Sequence, residues 1–163
     1  MGVALNTTLR ALGISTLLFK GQWERVVDRK VNGTDIFIGA GVTDFGETQP
    51  DIDMAAEAEA LLGFVLGYVP QLETIDALGY YFRDYDNPFP DDSWVRVGIP
   101  KQGLVILVCS GVQDSIARGA QLKCVAGLFV QTATREEYQM IAEEAVTGAI
   151  DTVKYFYARW VKN

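Results

Sequence analysis

Apolar and polar residues alternate along this chain in short runs, and glycine or proline closes most of them. Period-two alternation bounded by turn residues is the mark of a half-buried strand. Leu17 and Phe19 on one side of Lys20-Gly21-Gln22, and Trp23 with Val26-Val27 on the other, predict two short strands about a turn. Asp35 to Gly39 follows the turn signal Val31-Asn32-Gly33, which predicts a hairpin. Asp44 to Asp53, with Gly46 and Pro50, reads as a polar loop, and Leu61 to Tyr68 as a buried strand ended by Pro70.

Further along, Trp94 to Ile99 alternates as a strand, Pro100 to Gly103 turns, and Leu104 to Cys109 is the most apolar strand of the chain. Ile116 to Gly119 offers another turn before the strands Gln121 to Cys124 and Leu128 to Thr132. Arg135 to Ala145 fits two readings. Tyr138, Ile141 and Ala145 have helical spacing behind a Thr134 cap, while Met140 to Val146 reads equally as a strand. Val153 to Val161 sets Phe156, Ala158 and Trp160 on one face of a strand. Short strands recurring at this spacing predict a mainly β chain, a compact β barrel or sandwich with one or two short helices and an extended N-terminal arm. No internal repeat of fixed period and no low-complexity linker divides it. The expected organisation is an arm at 1–18 and a single β-barrel domain at 19–163 with a long loop at about 74–92.

Composition narrows the chemistry. The 163 residues carry a net charge of −7, which argues against a nucleic-acid surface, whose affinity depends on clustered cations, and against a surface that seeks anionic lipid. There is no histidine, so the usual neutral-pH base, the Ser-His and Cys-His nucleophiles and the commonest zinc ligand are missing. Cys109 and Cys124 stand too far apart for a redox C-x-x-C motif or a zinc knuckle and read as small apolar strand residues, with one disulfide as the alternative. No basic leader followed by an apolar run opens the chain, and no run reaches the ~20 residues of a membrane span, so a soluble protein made in a cytoplasm is expected.

Gly39-Ala40-Gly41 with Gly46 misses the dinucleotide spacing and reads as turn glycines. Ser110 and Lys123 form a Ser-Lys pair without any motif behind it. Asp84, Asp86, Asn87, Asp91 and Asp92 offer oxygens to a hard cation but lack the spacing of a calcium loop, so a solvated acidic loop is expected. Catalytic, cofactor and metal residues are therefore expected to be absent.

What remains is apolar surface. Tyr80, Tyr81, Phe82, Tyr85 and Phe89 crowd the loop that ends in two prolines, and Leu5, Leu9, Leu12 and Ile14 fill an N-terminal stretch with few charges. Those nine residues are the candidate partner contacts, because a terminus or a surface loop so rich in apolar side chains needs something to cover it; for the aromatic loop, packing onto this chain's own apolar surface is an equal alternative.

One resemblance bears on what covers them. The stretch Ile116 to Val130 runs from a short turn ending in Arg118-Gly119 through a strand and a Gly-led hairpin to a second strand. Ile141 to Ala145 and Val153 to Val161 follow it, and Trp94 to Ile99 with Leu104 to Val108 precede it. This succession resembles the head-decoration, or cement, proteins of tailed bacterial and archaeal viruses, small β barrels seated on an icosahedral shell. The last seventy or so residues carry the resemblance, and the 74–92 loop departs from it. The resemblance implies a non-enzymatic virion protein on the capsid exterior, made in the host cytoplasm. Its partners would be the major capsid protein and itself, as a homotrimer, with no cofactor, nucleic acid or membrane. The alternative is a barrel that binds carbohydrate or a small ligand through its Tyr/Asp/Trp-rich loop.

Overall fold

The computed structural model describes residues 23–33, 35–45, 50–57, 60–68, 88–111, 115–135, 139–146 and 155–162. Ten strands run through them: β1 Trp23–Val31, β2 Gly41–Asp44, β3 Asp51–Met54, β4 Gly63–Tyr68, β5 Trp94–Pro100, β6 Val105–Cys109, β7 Gln121–Val125, β8 Leu128–Gln131, β9 Met140–Ala142 and β10 Tyr155–Trp160. No helix occurs among the described residues, so the short helices expected from the sequence are not found there. The ambiguous stretch after Thr134 contributes the strand β9 instead.

Alternation explains the strands that the sequence predicts. In β5, Val95 and Val97 are buried while Arg96 lies between them half-exposed, and in β10 Phe156, Ala158 and Trp160 point inward. Two expectations fail. Asp35 to Gly39 is not a strand: Ile36, Phe37 and Ile38 are fully buried in an irregular segment that ends in a turn at Gly39. The neighbours of β1 are β3, in parallel, and β5, so no hairpin forms at Asn32-Gly33. Asp51 to Met54 is a strand rather than loop, because Ile52 is fully buried and the two aspartates beside it keep partial contact with solvent.

The first five strands close into a barrel in the order β1-β3-β2-β4-β5, and the last five form a sheet in the order β6-β10-β9-β7-β8. The edges of that second sheet meet at one parallel bridge, Ser110↔Phe129, where Gly111 N donates to Phe129 O at 2.9 Å. Counting each set from its own first strand, the two orders are the same, including the parallel contact between first and third strands.

The match extends to register. Gly41↔Phe64 and Val42↔Gly63 in the barrel correspond to Gln121↔Ile141 and Leu122↔Met140 in the sheet. Val42↔Met54 and Asp44↔Ile52 correspond to Leu122↔Gln131 and Cys124↔Phe129. Individual hydrogen bonds recur as well. Gly39 N donates to Val65 O (2.9 Å) and Gly119 N to Ala142 O (2.8 Å), while Asn32 N to Ile52 O (3.0 Å) repeats as Gly111 N to Phe129 O. The described strands form one β unit built twice. No fixed sequence period reveals it, because the β4–β5 connection, Tyr68 to Trp94, is far longer than the β9–β10 connection, Ala142 to Tyr155. Few equivalent positions share a residue; Ile36/Ile116, Gly39/Gly119 and Ala40/Ala120 do.

The two units do not merely sit side by side, since a single cluster of buried side chains runs through both. Phe64 of β4 stacks on Phe129 of β8 (ring centroids 5.8 Å apart, planes at 24°) and meets Trp160 of β10 edge-on at 5.8 Å. Cys109 on β6 and Cys124 on β7 are buried free thiols, as expected of apolar strand residues, and Cys124 Sγ lies 3.7 Å from Ala55 O. Buried thiols react slowly because reagent and thiolate both need water. Both are therefore expected to resist a thiol-labelling reagent in native buffer and to react fully in denaturant, with no change in unfolding midpoint on adding reductant; rapid native labelling would contradict this packing.

Candidate functional site

Of the nine candidate contact residues, Phe89 alone lies among the described residues, and it corrects its own assignment. It is fully buried, and its amide donates to Ile36 O at 2.7 Å, so it packs inside this chain's own core where no partner can touch it. Leu5, Leu9, Leu12, Ile14, Tyr80, Tyr81, Phe82 and Tyr85 lie outside the described residues, as do Asp84, Asp86 and Asn87.

The two described acids of that loop have structural partners. Asp91 Oδ1 accepts a hydrogen bond from Gly33 N at 2.8 Å, and Asp92 pairs with Lys30. Together they fasten the start of β5 to the end of β1. Among the described residues no three His, Cys, Asp or Glu side chains gather as metal ligands would. Ser110 is fully buried at the bridge to β8, and the Lys123 ammonium pairs with Glu57, an ion pair that joins the second sheet to the barrel. Gly39 and Gly41 behave as turn and strand-entry glycines: Gly39 has φ +81° and Gly41 opens β2.

Charges gather on the outer face of β1 and β5. Arg29 Nε lies 2.9 Å from Asp44 Oδ1, and Arg96 Nε lies 3.4 Å from Asp28 Oδ1. A groove of about 360 Å³ opens beside that second pair, lined by Trp23, Glu24, Arg25, Val26, Asp28 and Arg96. Its cations and anions stand side by side, and pairs this exposed contribute only ~0.2–1 kcal/mol each. Its two acids, Glu24 and Asp28, are balanced by two arginines, Arg25 and Arg96, so the groove carries no excess of one charge sign.

The hydrogen bond that Asp92 accepts from the Lys30 ammonium raises the Lys30 pKa above its ordinary value; desolvation opposes the rise, and Coulombic attraction from Asp92, Asp51 and Asp91 adds to it. A raised lysine pKa stabilises the fold at every pH below the ordinary lysine range and loses that effect as pH climbs through the raised value. Asp92 has φ +66°, which asparagine tolerates, so Asp92→Asn isolates the charge. The variant is expected to unfold at slightly lower denaturant than wild type at neutral pH and at the same denaturant in strong alkali; a gap that persists in alkali would contradict the pairing.

Sequence reasoning passed over Phe45. It follows β2, is 50% exposed, and is the large hydrophobic side chain that the described residues leave in solvent. The available signal was an aromatic between Asp44 and Gly46 in an otherwise polar stretch. No protein-family model matches this chain, and no curated protein matches it.

Proposed function

We propose that this chain is a non-enzymatic structural protein of a virion, which decorates an icosahedral shell and stabilises it by binding between capsomers on the outside. The observation that supports the reading best is the joining of two unlike parts in one acidic chain. One is a ten-strand body with a continuous core. The other is the run of apolar residues Val3 to Leu18, carrying Leu5, Leu9, Leu12 and Ile14, which precedes that body in the sequence. A β body of this kind is a stiff platform, and an apolar segment preceding it in the sequence is the part suited to burial in another protein. Each square ångström of apolar surface so covered contributes ~25 cal/mol. Many copies around a closed shell turn modest contacts into a large combined resistance to rupture.

The major capsid protein is the partner in this reading, with further copies of the chain as neighbours, and no cofactor or nucleic acid takes part. Deleting residues 1–12 is expected to leave the unfolding midpoint of the body unchanged while reducing the amount of protein that sediments with purified shells by tenfold or more, the equivalent of ~1.4 kcal/mol. Unchanged sedimentation would overturn the role given to the apolar segment.

A further inference from the structure

A chemically labile pair of residues follows β1 directly. Of the chain's four asparagines, Asn32 alone precedes a glycine. An asparagine so placed can modify itself, which makes it one of the thermolabile residues. The backbone nitrogen of the next residue gives its proton to a solvent base and attacks the side-chain Cγ; a succinimide ring forms and ammonia leaves. Water then opens the ring at either carbonyl, to give aspartate or the β-linked isoaspartate. One water is consumed and one ammonia released. Glycine favours the attack because no Cβ bars the approach, and at Gly33, where φ is +98°, nothing lies within 4 Å of where a Cβ would sit.

The fold opposes this reaction. Gly33 N, the attacking nitrogen, donates to Asp91 Oδ1 at 2.8 Å. Asn32 N donates to Ile52 O at 3.0 Å, and Val31 O accepts from Asp92 N at 2.9 Å. The peptide groups on both sides of Asn32 are therefore tied, one to β3 and one to the carboxylate that precedes β5. Rotating Asn32 so that Gly33 N meets its Cγ breaks the bond to Asp91. The carboxylate opposes the chemistry as well. The nitrogen attacks after losing its proton, and both a hydrogen bond to its N–H form and a neighbouring negative charge disfavour that loss.

We infer that Asn32-Gly33 is a self-modification site that the Asp91 carboxylate holds shut, and that Asn32 converts to aspartate and isoaspartate when the bond from Gly33 to Asp91 opens. The inference goes beyond the assembly reading and does not depend on it. Gly33 and Asp91 are both exposed, so water competes for their bond and the site opens more readily than the core. The product is permanent. It sets a new carboxylate beside Asp91, and isoaspartate lengthens the backbone by one carbon between the bonds to Ile52 and Asp91, so the two cannot keep their present geometry together. A modified chain loses part of the tie among β1, β3 and β5.

The test is peptide mapping by mass spectrometry of the full chain during warm incubation at constant, mildly alkaline pH, which gives the fraction of Asn32 converted against time. The same chain in denaturant supplies the unprotected rate. Folded wild type is expected to convert at least about tenfold more slowly than the denatured chain, the low end of what a hydrogen bond to a charged group holds. Asp91→Ala is expected to recover most of that factor. Asp91→Asn keeps an oxygen acceptor without the charge and is expected to fall between; it stands in for the alanine variant should that one fail to fold. Asp92→Asn breaks the neighbouring pair with Lys30 and leaves the Gly33 bond in place, so it is expected to convert as wild type does. A folded wild type as fast as the denatured chain would overturn the inference, as would Asp91 variants no faster than wild type. So would an Asp92→Asn chain as fast as Asp91→Ala, since protection would then follow overall stability and not this bond. Every readout is made without shells, so its failure leaves the assembly reading standing.

Discussion

Phe64→Ala is expected to lower the unfolding free energy by ~3–5 kcal/mol, the range for removing a large aromatic from a core that cannot collapse around the void. Phe64 is fully buried, and its ring touches both halves of the chain: Trp23 of β1 at 6.4 Å on the barrel side, Phe129 and Trp160 on the other. The loss therefore falls on the seam between the units as well as on the barrel. A typical domain has only ~5–15 kcal/mol to lose, so the milder Phe64→Leu keeps the measurement in range should the alanine variant unfold. Denaturant titration followed by tryptophan fluorescence gives the answer, since two of the ring partners are tryptophans. A loss below ~1 kcal/mol would mean that the seam is not a packed core.

The second large effect is a contrast between equivalent positions. Gly39 and Gly119 occupy the same place in the two units, with φ +81° and +82°, and both turns carry the same hydrogen bond, Ala40 N to Phe37 O and Ala120 N to Ala117 O. Alanine at either position must adopt the left-handed region at a cost of ~1–2 kcal/mol. Around Gly119 a Cβ meets nothing within 4 Å, so that is the whole expected cost. Around Gly39 the same Cβ lies 2.6 Å from Leu107 O, a backbone atom of β6 in the other unit, and must push the units apart. Overpacking of that kind adds ~1–3 kcal/mol. Gly39→Ala is expected to be the more destabilising of the two by that margin; equal losses in parallel denaturant titrations would contradict the close approach of Gly39 to β6.

The strands with clean alternation, β5, β7 and β10, were legible in the sequence because each has one dry face and one wetter one. β3 was not, since a strand with one fully buried residue between two aspartates carries the composition of a loop. The segment Ile36 to Ile38 misleads in the opposite direction: its β-branched residues are buried by tertiary packing without any ladder partner, so composition records burial and not strand. The doubling of the unit is a property of backbone register, which different side chains satisfy equally well, and few shared residues betray it, among them Ile36/Ile116 and the Gly-Ala turns at 39–40 and 119–120. Of the candidate contacts, Phe89 shows why an aromatic loop residue is a poor guide: its hydrophobicity states that it must be covered, but not by which chain.

Saturation binding tests most directly the proposal that this chain coats a shell. Purified chain titrated onto shells assembled from the major capsid protein of the same virus, and then sedimented, is predicted to bind until a fixed ratio of chain to capsid subunit is reached, and to raise the temperature at which the shells rupture. Failure to bind at any concentration, or binding that never saturates and leaves the rupture temperature unmoved, would contradict it.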